Sequence, residues 1–202
     1  MRHLSDEAVV LVAPFRGYAT LLEEAPASPR RALVRRLAVT LGTVGVVGSI
    51  ATAGRLVAAH IVWIAVAWIF VPVIHALTVA ATLRACPKKL PPTRAIELHM
   101  AGNGPYLAFF FALALVIVAS SDVARSFGWL VESLVLPLAG ALTLFGGAVT
   151  SYAFYRVCGA ASVRRALGLL VAEWAVKVLL CLAWYAFIDN LAPQFLGARA
   201  GS

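Results

Sequence analysis

Charge is scarce in this chain. Only 13% of its 202 residues are Asp, Glu, Lys or Arg, against 62% hydrophobic residues. A soluble domain carries about 25% charged and 45–50% apolar residues. Acids are scarcer still: nine Asp and Glu face seventeen Lys and Arg. A soluble globular alternative would spread its charges along the chain, whereas here they cluster between apolar runs. The three cysteines, Cys86, Cys158 and Cys181, are far apart in sequence, which excludes a disulfide framework or a zinc site built on cysteine spacing. Cys86, in "RACPKK", is placed beside the membrane as an acylation candidate. The catalytic signatures HExxH and GxSxG are absent, as are a phosphate loop and a paired-carboxylate motif. The sequence therefore predicts no enzyme, no metal site and no cofactor. A haem would need two histidines at matched depth on facing helices, and only His75 falls mid-span. The opening "MRHLSDEAVVLVAPF" places acids before a short apolar run and reads as no signal peptide.

What the chain has in abundance is long apolar segments, and its mean hydropathy is +0.90. A hydrocarbon core about 30 Å thick needs about 20 apolar helical residues. Five segments meet that length: about 37–54, 61–83, 104–121, 129–154 and 166–188. The predicted fold is thus all-α, a polytopic integral membrane protein built as a bundle of five transmembrane helices. Residues 1–36 form a cytoplasmic N-terminal lead, 37–188 the transmembrane domain and 189–202 a short external tail. Spans one and two are separated only by "RLVAAH", which predicts a tight helical hairpin. "PTRAIELHM", residues 92–100, reads as a short interfacial helix, which places His99 at the interface, as His60 is.

Lys and Arg set the orientation. Arg2, Arg16, Arg30, Arg31, Arg35 and Arg36 lie in the lead. Arg84, Lys88, Lys89 and Arg94 follow span two, and Arg156, Arg164 and Arg165 follow span four. All of these fall on one side, against Arg55, Arg125 and Arg199 on the other. The N-terminus is therefore expected in the cytoplasm and the C-terminus outside, in a bacterial inner membrane. A net charge of +8 invites a nucleic-acid reading, but no aromatic-interleaved basic face supports one. The loop residues Arg30, Arg31, Arg35, Arg36, Arg84, Lys88, Lys89, Arg164 and Arg165 are instead expected to face anionic lipid.

Two features stand out inside the spans. Gly42, Gly45 and Gly48 make span one rich in small residues, which let helix backbones approach closely. They serve either packing within the chain or contact with a second copy or another membrane protein. The second feature is ionisable. In "LLVAEWAVKVLLCLAWYAF", Glu173 and Lys177 are four residues apart and share a helix face. Each isolated charge at that depth costs about 2.5–3.5 kcal/mol on insertion scales. Glu173 lies eight residues past Arg165, about 12 Å deep at 1.5 Å per residue. His75 lies nine residues before Arg84, about 13.5 Å from the same side. His75, Glu173 and Lys177, with Tyr152, thus form a candidate buried polar cluster. It is either a register lock for the bundle or the core of a small proton-coupled transporter or channel. Pro72 and Pro137 are expected to kink spans two and four.

The ordering of segments resembles the Yip1 family of five-span membrane proteins, in its bacterial branch. The resemblance covers about residues 11–188. It is carried by the proline–aromatic lead "APFRGYATLLEEAP", the basic loop and amphipathic stretch "PTRAIELHMAGNGPYLAFF", and "FYRVCGAASVRRAL" between the last two spans. The "DLYGP"-type signature of the eukaryotic branch is absent, so that branch's trafficking role is not carried over. The resemblance implies a five-helix membrane fold with a cytoplasmic N-terminus. It further implies a non-enzymatic role in membrane organisation or partner binding.

Overall fold

The computed structural model describes residues 8–24, 26–114, 116 and 131–190, and among these there is no strand. Four helices are long and apolar enough to cross a membrane: Pro29–Ala53, Ala58–Leu83, Ser133–Val157 and Val163–Phe187. The expected third span, 104–121, falls partly outside the described residues, as does most of the expected tail at 189–202; residues 104–114 are helical.

After a helical turn at 8–12, the elements run in order. Helix α1 is Pro14–Glu23 and α2 is Pro29–Ala53. Helices α3, Ala58–Ala67, and α4, Phe70–Leu83, together make the second candidate span. Helix α5, Pro92–Met100, passes through a 3-10 turn at Ala101–Asn103 into α6, residues 104–114. A π turn at Val131–Val135 leads into α7, Leu136–Val157, and α8 is Val163–Asn190.

Local chemistry accounts for the boundaries. Pro29 occupies the first turn of α2, where its missing N–H costs nothing, and the Ser28 side chain accepts from Arg31 N. Helix α2 therefore starts eight residues before the apolar segment that marks it in sequence. It ends at Gly54, whose φ of 64° is the left-handed conformation glycine tolerates. Ser49 then fastens the turn, donating to Arg55 O at 2.9 Å and accepting from Val57 N at 2.9 Å. The second span is interrupted at Trp68–Ile69. Pro72 has no N–H to give the Trp68 carbonyl, which accepts instead from Val71 N at 3.0 Å. Pro137, by contrast, sits in the first turn of α7, and the irregularity lies just before it in the π turn.

Small residues in α2 are used within the chain. A Cβ added at Gly45 would lie 3.0 Å from the Ile61 side chain, and one at Gly48 would lie 2.8 Å from that of Ile64, so α3 packs against this face. Gly42 meets nothing within 4 Å.

The core is concentrated at one end of the bundle. Val10, Tyr18, Leu98, Phe154, Tyr155 and Cys158 are almost fully buried there. Helix α1 packs on α7, and α5 packs against both α2 and α4. The lead is therefore part of the bundle, and its last eight residues belong to α2. Helix α5 is no surface helix: Arg94, Ala95, Glu97, Leu98, His99 and Met100 are all buried. Elsewhere the spans expose large apolar side chains, such as Trp63, Leu142, Phe145 and Val171, as helices facing hydrocarbon do.

Candidate functional site

In α8 the four-residue spacing puts Glu173 and Lys177 on one face, and their side chains form an ion pair. Glu173 is completely buried, while the Lys177 side chain retains 15% exposure. Two further elements converge on the same carboxylate oxygen, Oε1. Ser151 of α7 donates to it at 3.0 Å, and His99 Nε2 of α5 lies 3.1 Å away. Because the carboxylate accepts, Nε2 carries the hydrogen in this contact. One carboxylate thus joins α5, α7 and α8. Among the described residues its second oxygen, Oε2, has no hydrogen-bond partner, nor has His99 Nδ1.

His75 stands behind His99, with ring centroids 5.7 Å apart in an edge-on arrangement. The Phe154 ring closes the other flank of His99 at 5.1 Å. The structure therefore aligns His75, His99 and Glu173 in that order, and Lys177 completes the group. Tyr152 lies outside it, half-buried, with its ring against Phe15 at 6.0 Å.

Sequence reasoning placed His99 at the interface and missed both His99 and Ser151 as partners. The spacing that reveals Glu173 and Lys177 is local, whereas His99 and Ser151 are 74 and 22 residues from Glu173. The one local signal was a histidine in a short segment that leads directly into a span.

A second buried ionic group joins α2, α5 and the end of α1. Arg36 Nε donates to Glu97 Oε1 at 2.8 Å, and both side chains are 2% exposed. Arg94, one turn before Glu97 on α5, pairs with the other carboxylate oxygen. The same guanidinium donates to Leu21 O and, at 3.2 Å, to Glu24 O. Those carbonyls end α1, where helix geometry leaves acceptors unpaired. Arg36 corrects an expectation: it does not face lipid with the loop arginines but is buried between α2 and α5. The reason is Glu97, which makes the interior of the bundle a better site for the guanidinium than the surface. Arg30, Arg31, Arg35, Arg84, Lys88, Lys89, Arg164 and Arg165 are exposed.

The thiols outside the spans are suppressed. Burial pushes the Cys158 thiol up to about 12, and burial also raises that of Cys86. Cys86 is 2% exposed, so it offers no accessible acceptor for an acyl chain. Among the described residues, no three His, Cys, Asp or Glu side chains converge as a metal cage.

Lys177 also lines a cleft of about 810 Å³ whose walls are almost wholly apolar. His75 and Trp174 border it as well, so the polar group touches the cleft at its edge while Glu173 lies behind. No family model matches the chain, and no curated protein or solved structure matches it either.

Proposed function

We propose that this chain is a non-enzymatic, five-span, Yip1-like integral membrane protein of a bacterial inner membrane, acting in membrane organisation or partner binding. Its N-terminus is cytoplasmic, and residues 104–121 form the third of its five spans. The observation that carries this reading is the fate of Glu173. Its hydrogen bonds go to the chain's own His99, Ser151 and Lys177, in a packed setting that is fully buried. A carboxylate used in this way fixes three elements in register and leaves the membrane-facing work to the surface. That surface is an apolar girdle with a rim of exposed arginines and lysines, suited to an anionic leaflet. Each basic residue near such a leaflet contributes about 1 kcal/mol. Exchanging Arg30, Arg31 and Arg35 for Gln should therefore weaken retention of phosphatidylglycerol by roughly a hundredfold. Native mass spectrometry of the protein with titrated phosphatidylglycerol and phosphatidylcholine reads this directly. Equal retention of both lipids by the wild type would refute the role given to the basic rim.

One observation favours a second reading, a small proton-coupled transporter or channel: the sequence of contacts from cleft-lining His75 through His99 to Glu173. That reading requires proton flux in proteoliposomes carrying a pH-sensitive dye, abolished in Glu173→Gln. The register-lock reading expects no flux from the wild type above that of empty vesicles.

A further inference from the structure

The lead has a surface that neither reading uses. Its inner side is spent on the bundle: Val10, Gly17, Tyr18 and Leu21 are buried, and α1 packs on α7. The closest fit is at Gly17, where an added Cβ would lie 2.9 Å from Val10 Cα. The turn at 8–12 is therefore held against α1. Its outer side is apolar as well. Val12 is 84% exposed, and Val9, Leu11 and Phe15 are exposed near it. Exposed apolar side chains gathered in this way mark a contact with lipid or with protein.

Position selects lipid. On α7, Leu138, Leu142 and Phe145 are exposed and recur at four- and three-residue spacing, which makes them the lipid-facing stripe of that helix. The same stripe reaches Tyr152, two helical turns past Phe145. The Phe15 ring rests on the Tyr152 ring, with centroids 6.0 Å apart. The exposed side of the lead thus continues the surface that the spans turn to hydrocarbon. Tyr152 is four residues before Arg156, about 6 Å along α7 at 1.5 Å per residue. That depth below a basic helix end matches the boundary between head groups and acyl chains, about 5–10 Å in, where aromatic side chains and amphipathic helices settle.

Charge orients the lead. Arg16 is exposed next to Phe15, whereas Glu23 and Glu24 are exposed at the far end of α1. The apolar end carries the cation, which suits lipid phosphates, and the acidic end is favoured away from them.

We propose that the turn at 8–12 and the first turn of α1 are embedded in the leaflet on the arginine-rich side. Val9, Leu11, Val12 and Phe15 lie among the acyl chains, and Arg16 reaches the phosphates. Lipid, and not a second copy or another protein, covers this face, so the lead is an interfacial anchor. The proposal goes beyond both functional readings and depends on neither.

The test is spin-label depth in proteoliposomes of phosphatidylglycerol and phosphatidylcholine, with the full chain carrying Cys181→Ser to remove the exposed thiol. Cys86 and Cys158 are buried, and the parent taken through the same labelling sets the background. A nitroxide is attached at Val12→Cys, and at Glu23→Cys as the water-facing reference. Collision with oxygen, which partitions into lipid, is compared with collision with a nickel chelate, which stays in water. The nickel collision rate at Val12 should be at least about fivefold below that at Glu23, with oxygen collision higher, as for a label about 5–10 Å below the phosphates. Equal nickel rates at the two positions would overturn the proposal, because a face free of lipid is wetted. So would low collision with both reagents, or spin–spin broadening that vanishes on dilution with unlabelled protein, since either reports a protein surface covering the face. Val12 is mostly exposed, so its replacement should spare the fold, and Val9→Cys repeats the reading at an independent position.

Discussion

Replacing Glu173 with Leu is expected to destabilise the protein by about 3–5 kcal/mol, the usual cost of removing one partner from a buried ion pair. The change removes the acceptor for three donors at once. The Lys177 ammonium loses its counter-charge, and Ser151 Oγ and His99 Nε2 lose the oxygen they share. Each neutral donor left buried accounts for about 1–3 kcal/mol of that loss. Glu173→Gln should be milder, because an amide oxygen still accepts from Ser151 and His99. Unfolding in mixed micelles, followed by circular dichroism, separates the two variants. Equal losses would mean that the carboxylate's charge and its hydrogen bonds are not separable contributions.

Glu97→Ala should have an effect of similar size, about 3–5 kcal/mol, with a different signature. Glu97 lies between the Arg36 and Arg94 guanidinium groups, and without it two like charges face each other inside the bundle. Arg94 is also the group that holds the Leu21 and Glu24 carbonyls at the end of α1. A displaced Arg94 would release that end, so the loss should appear first in α1. Limited proteolysis should cut between α1 and α2 faster in the variant, while the transmembrane helices stay protected. Unchanged cutting would show that the packing of Tyr18 against Phe154, at 5.8 Å between ring centroids, holds the lead unaided.

The part of this architecture that could be read from sequence is the part set by local pattern. Long apolar runs gave four of the spans, because helix length against bilayer thickness is a one-dimensional comparison. Glu173 and Lys177 emerged as a pair because a helix brings residues four apart together. Pro72 marked the break at Trp68 because its missing hydrogen bond is a property of the residue itself. Helix α5 was misjudged for the opposite reason. A nine-residue segment with Arg94, Glu97 and His99 among apolar residues has the pattern of an interfacial helix. Its burial follows from Arg36, 61 residues before Glu97, and from Glu173, 74 residues after His99. Arg36 was misplaced because counting basic residues by loop assigns each one to the surface, and nothing local distinguishes Arg36 from Arg35.

The central claim is that Glu173 and Lys177 act as one structural unit within a membrane bundle, and a double-mutant cycle measures this directly. Glu173→Leu and Lys177→Leu are made singly and together, and unfolding is followed in the same micelles. A structural pair should give a double variant at least about 2 kcal/mol more stable than the sum of the single losses implies, since replacing both partners leaves no unpaired buried charge. Additive losses would contradict the claim.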